Sequence, residues 1–67
     1  MADTVYKKLE MVGTSSKSLS DAIAVAVAKA RQAEPSLRWF EVIEQRGAII
    51  DGQIQYQVTL SLGVKMD

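Results

Sequence analysis

Apolar and polar residues alternate along most of this chain, and the alternation fails wherever turn formers gather. Val5 to Val12 reads as a first strand, because side chains of a strand point alternately to its two faces. Val5, Leu9 and Met11 share one face, interrupted by Lys7, while Tyr6, Lys8, Glu10 and Val12 take the other. Gly13-Thr14-Ser15-Ser16-Lys17 then breaks the pattern. Ser18 starts a helix: its hydroxyl can accept from a first-turn backbone N–H, and Asp21 stands at the third position of a capping box. From Leu19 to about Ala33, Leu19, Ala22, Ile23, Ala26, Val27 and Ala30 recur at steps of three and four, the period of a helix face. Ala24, Val25 and Ala28 carry apolar character around the other side, which hints at contacts beyond one copy. High intrinsic propensity of a small-residue helix is the plainer explanation. Pro35 stops the helix.

A second strand is predicted from about Leu37 to Arg46, with Gly47 marking its end. Strict alternation puts Phe40 and Val42 on one face and Leu37, Trp39, Glu41, Ile43 and Gln45 on the other. Asp51-Gly52 is a strong two-residue hairpin signal. The third strand, from Gln53 to about Met66, alternates most cleanly. Ile54, Tyr56, Val58, Leu60, Leu62, Val64 and Met66 line one face; Gln55, Gln57, Thr59, Ser61 and Lys65 line the other. Such a strand has one buried face. The predicted order is strand, helix, strand, strand, with Phe40, Val42, Val58, Leu60 and Leu62 turned toward the helix. By the same parity Trp39 and Gln57 both project from the opposite face.

Composition narrows the function classes. The 67 residues make one domain spanning 1–67, and a chain of that size buries only about 60% of its unfolded surface. It has no Cys and no His, so disulfides, thiolate sites and the commonest metal ligand and general base are all absent; a carboxylate metal site across an oligomer axis is conceivable, but the sequence gives it no specific signal and no metal site is expected. Oligomerisation is the remaining way to bury more surface. Eight basic and eight acidic residues balance, which gives no basic stripe for a nucleic acid. No apolar run approaches the ~20 residues of a membrane span. Met1-Ala2-Asp3-Thr4 lacks the charged and apolar regions of a signal peptide, so a cytoplasmic protein is expected.

Catalysis finds no support. No nucleophile elbow is present, and the glycines at 13, 47, 52 and 63 form no phosphate loop. Glu41 and Glu44, three apart on a strand, face opposite ways under strict alternation, so they make no acid/base pair. Trp39, the single Trp, holds the most content. Its indole can stack on a planar ligand or anchor an oligomer interface. The Gln57 carboxamide carries an acceptor and a donor side by side, matching the edge of a heterocycle that carries the same pair, or it is simply solvated. Arg46 can meet a phosphate or stand as a surface charge.

The segments Val12-Gly13-Thr14-Ser15, Arg38-Trp39-Phe40-Glu41-Val42, Gln45-Arg46-Gly47, Asp51-Gly52 and Tyr56-Gln57-Val58-Thr59-Leu60, in this order and spacing, resemble a bacterial dodecin from Val5 to Gly63. The resemblance implies an α+β fold of order β-α-β-β, a three-stranded antiparallel sheet wrapped around one helix, with copies assembling into a hollow dodecamer. It implies a non-catalytic protein that stores or sequesters flavin, riboflavin or FMN, and quenches its photochemistry. By position Trp39 would stack on flavins paired between subunits, Gln57 would bond the pyrimidine edge, and Arg46 would help hold the phosphate of FMN. The competing expectation is an oligomeric interaction module with Trp39 as interface anchor and no ligand. Some dodecins also take coenzyme A through basic groups that include a C-terminal Arg. This chain ends Gly63-Val64-Lys65-Met66-Asp67, and Lys65 keeps that charge without the planar fork, which argues against coenzyme A.

Overall fold

The computed structural model describes residues 3–66; Met1 and Ala2, the start of the segment read for a leader, and Asp67 lie outside them. The elements are β1 (Tyr6–Ser15), α1 (Leu19–Ala33), β2 (Leu37–Ile50) and β3 (Gln53–Lys65). β3 runs through the middle of the sheet, antiparallel to β1 on one side and to β2 on the other. A central strand under a helix must be apolar on one face along its covered length, which is why β3 alternates most cleanly.

Both strands overrun the glycines expected to end them. β1 continues through Gly13 to Ser15, and β2 through Gly47 to Ile50. Gly13 is a packing residue: a Cβ there would collide with the Ala22 carbonyl and come within 2.7 Å of the Ala26 methyl, so glycine lets α1 lie close on β1. Gly47 pairs with Tyr56 in mid-ladder. The ladder closes at Asp51-Gly52, where φ is +51° and +77°, the left-handed pair that a two-residue hairpin of this hand requires.

α1 starts as the sequence predicts. The Ser18 Oγ accepts from the Asp21 backbone N–H at 2.9 Å. The reciprocal half of the capping box is replaced: the Asp21 carboxylate accepts from the Ser15 hydroxyl at 2.7 Å, and the Ser15 Oγ in turn accepts from the Lys17 N–H. The first turn of the helix is thereby tied to the end of β1. At the other end Glu34 caps the helix, and the Leu37 N–H donates to the Glu34 carbonyl across a turn holding Pro35 at its favoured second position.

The core is narrow. Ala22, Ala26 and Ala30, one residue per turn of α1, press on Val58, Leu60 and Leu62 of β3, all at most 4% exposed. Leu9, Met11, Leu19, Ile23, Val27, Leu37 and Val42 pack around them. The helix lies mainly on β1 and β3 and scarcely reaches β2. Phe40, expected under the helix, does share a face with Leu62 but remains 46% exposed. Length explains the rest: 15 helical residues span about 22 Å, whereas the 13 residues of β3 span about 43 Å. Ile54 and Met66, expected on the buried face, lie past the ends of the helix and are 55% and 61% exposed. The tip of the β2–β3 hairpin therefore stands out as an uncovered arm, and the chain measures 54 × 20 × 14 Å. Its radius of gyration is 13.9 Å, where a compact chain of this length would have about 11 Å. No helix among the described residues is long and apolar enough to cross a membrane.

Candidate functional site

Two bulges in β2 decide which side chains share a face with Trp39. Leu37 pairs with Val64 and Trp39 with the adjacent Gly63, so Arg38 is an extra residue; Val42 pairs with Leu60 and Glu44 with Thr59, so Ile43 is another. Each bulge reverses the alternation. Leu37 and Gln45, expected beside Trp39, pair with Val64 and Val58 and so belong to the helix side. Glu41 and Glu44, expected on opposite faces, both pair with residues of the open side, Ser61 and Thr59. They are solvated carboxylates on a bare surface. Arg46, which strict alternation places opposite Trp39, is brought to the open side across from Gln57.

The indole of Trp39 has a built seat. A Cβ on Gly63 would occupy the space of the Trp39 ring, so the indole rests directly on the Gly63 backbone. Tyr6 meets it from β1, ring centroids 4.8 Å apart and planes inclined at 61°. Edge contact of this kind is the favoured geometry for two aromatic rings. The indole thus lies against backbone and against a second ring, and Trp39 remains 40% exposed. Gly63 and Tyr6 were not singled out by their pattern. The available signal was an isolated glycine inside an otherwise regular strand, which marks a close approach.

Arg46 and Gln57 form a second feature. The Arg46 Nε–H donates to the Gln57 Oε1 at 2.6 Å, and the Gln57 Nε2 donates to the Gln55 Oε1 at 2.9 Å. Trp39 and Gln57 do project from one face. They are not neighbours, however: Trp39 lies across from Gly63, six residues along β3 from Gln57, a separation of roughly 20 Å. A single ring system cannot touch both within one chain. Any slot framed by an indole and a carboxamide needs them from different copies.

Among the open clefts formed by the described residues, two lie away from Trp39. One, about 560 Å³, lies where the β1–α1 loop meets the hairpin arm and is lined by Thr14, Ser16, Gln53 and Gln55 among others. The other, about 640 Å³, sits at the end of α1 between Arg31 and Arg38. Among the described residues, no group of three or more Asp or Glu is placed to hold a metal ion.

The sequence profile of the dodecin family matches residues 5–67. The chain belongs to the dodecin family. It is 47% identical over 64 residues to the dodecin of Thermus thermophilus, an alignment covering 94% of this chain and 93% of that one. A Mycobacterium tuberculosis protein named calcium dodecin is 39% identical over 64 residues, covering 94% and 90%. Among solved structures, the dodecin from Streptomyces davaonensis has a TM-score of 0.91 at 39% identity over 98% of both chains. The family read from the Trp-Phe-Glu-Val and Tyr-Gln-Val-Thr-Leu blocks is thus the one the chain belongs to, and its β-α-β-β fold with one helix is the fold observed.

Proposed function

We propose that this dodecin is a non-catalytic flavin-binding protein that assembles as a hollow dodecamer, takes riboflavin or FMN between subunits, and stores it while quenching its photochemistry. The observation that carries the reading is the seat of Trp39. A large aromatic seated on a glycine backbone and held by a second ring, yet still 40% exposed, is pre-organised to stack on a planar ligand. Such a ring loses little side-chain freedom on binding, and offset stacking is, with edge contact, one of the two favoured aromatic arrangements.

A bound flavin would supply a flat heteroaromatic ring whose excited state is quenched by electron transfer from an indole in contact with it. The chain's own part is to hold and to orient. Trp39 offers the stacking face. Gln57 retains one acceptor lone pair and one N–H beyond those it already uses, enough for the donor and acceptor of a pyrimidine edge. Arg46 uses its Nε on Gln57 and keeps the terminal nitrogens of the guanidinium for a phosphate. The distance between Trp39 and Gln57 supports a site shared between copies, and the uncovered arm and 46%-exposed Phe40 supply apolar surface for assembly. The calcium in the name of the Mycobacterium relative is said of that protein, and among the described residues of this chain no three carboxylates gather.

Titration of riboflavin and of FMN with the purified protein, following flavin emission and the mass of the assembly together, tests this. Saturable quenching by a particle of about twelve chains is expected. A large assembly that leaves emission unchanged would favour the ligand-free interaction module instead, with Trp39 as its anchor.

A further inference from the structure

We propose that Gln55 is a positioning residue for ligand binding: it presets the Gln57 carboxamide and thereby sets how strongly the protein prefers a heterocycle with a free imide edge. The inference rests on the flavin reading above and adds to it a residue to which neither the sequence motifs nor the family resemblance assigns a role.

The chemistry of the relay permits one arrangement. An arginine Nε–H can only donate, so the atom of Gln57 facing it at 2.6 Å must be the carbonyl oxygen. The amide nitrogen is then turned the other way, along β3, where an acceptor is required. Gln55 meets that requirement with its own Oε1 at 2.9 Å. Gln55 and Gln57 are two apart on one strand and share the open face, and Arg46 stands across from Gln57 on β2 only because the Ile43 bulge brings it there. The carboxamide is clamped from both ends before any ligand arrives. What remains free is one lone pair on its oxygen and one N–H on its nitrogen. Those two groups complement the imide N–H and a neighbouring carbonyl of a pyrimidine-like edge.

Without Gln55 the nitrogen end is loose. The side chain can still bind, but it must be ordered at the moment of binding, and ordering one rotamer-rich side chain weakens affinity between about threefold and tenfold. Gln55 is half-buried and lines the cleft between the β1–α1 loop and the arm, so a replacement of similar length has room.

The test compares riboflavin with 3-methylriboflavin, which lacks the imide N–H. Emission titrations are run on the parent, Gln55→Met, Gln55→Lys and Gln55→Glu, with the mass and melting temperature of each ligand-free assembly measured alongside. Met and Lys keep the length of the side chain but offer no strong acceptor; Glu keeps the acceptor. The expected result is a parent that prefers riboflavin, a threefold to tenfold weaker riboflavin affinity and a smaller preference in Gln55→Met and Gln55→Lys, and parent-like behaviour in Gln55→Glu. If either Met or Lys assembles like the parent and keeps its affinity and preference, the proposal is overturned. It is equally overturned if Gln55→Glu loses as much as they do, because the acceptor is then not what matters. A parent that binds no riboflavin would instead overturn the flavin reading itself, and this proposal with it.

Discussion

The two ends of β3 carry the same alternating pattern and meet different fates. Val58, Leu60 and Leu62 vanish beneath three alanines of α1, at 0% exposed. Ile54, four residues upstream of Val58 on the same face, is 55% exposed, and its cross-strand partner Ile49 is 81% exposed. Nothing local distinguishes the two segments. The difference is that one lies within reach of the helix and the other does not. A pattern states which face of a strand needs covering; it does not say what covers it. In this chain the hairpin end of β3 is what the helix leaves uncovered, and Gln53 and Ile54 there stay exposed.

The largest effect expected from that contrast falls on the covered half. Leu60→Ala empties a fully buried site against a core with no slack, and should cost about 2–5 kcal/mol, close to the whole stability of so small a domain. Loss of the cooperative thermal transition at ordinary temperature checks it. Ile54→Ala on the arm removes similar bulk from an exposed position. It should leave the fold intact, as judged by far-ultraviolet circular dichroism, while shifting the assembly toward smaller species in light scattering. A full-sized assembly after that change would mean the arm is bare in the oligomer too.

On the open face, Gly63→Ala should act through Trp39 alone. The new methyl occupies the ring's seat and lifts the indole off β3, so flavin affinity should fall about tenfold while the subunit stays folded, the loss of a well-placed aromatic contact being about 1 kcal/mol or somewhat more. An unchanged titration would show that the seat has no bearing on binding. The smallest effect belongs to the helix start. Ser18→Ala removes the acceptor for the Asp21 N–H and should cost about 1 kcal/mol, lowering the melting temperature by several degrees without touching ligand affinity.

Much of this was legible in the residues. Ser18 announced the helix, Asp51-Gly52 the hairpin, and β3 its buried side, because each depends on short-range chemistry. The faces of Leu37, Gln45 and Glu44 were misread for one reason. A bulge inserts a residue without altering composition or hydropathy, so counting by twos runs on past Arg38 and Ile43 undisturbed. The glycines misled in a related way. Gly13 and Gly47 look like breaks in one dimension, whereas Gly13 sits in mid-strand because α1 crosses it closely. Gly63 passed unnoticed because what it accommodates, the Trp39 ring, lies on another strand. The roughly 20 Å between Trp39 and Gln57 was hidden likewise: parity fixes a side of the sheet, and only register fixes a position along it.

In the proposed site Trp39 stacks on a flavin within an assembly of many copies. Riboflavin emission titrated with the parent and with Trp39→Ala, at matched and verified assembly mass, tests it most directly. Strong saturable quenching by the parent, with affinity reduced on the order of a hundredfold and little residual quenching in the variant, is the predicted result, since a desolvated aromatic anchor carries about 2–4 kcal/mol. Equal quenching by the two proteins, or none by either, would contradict it.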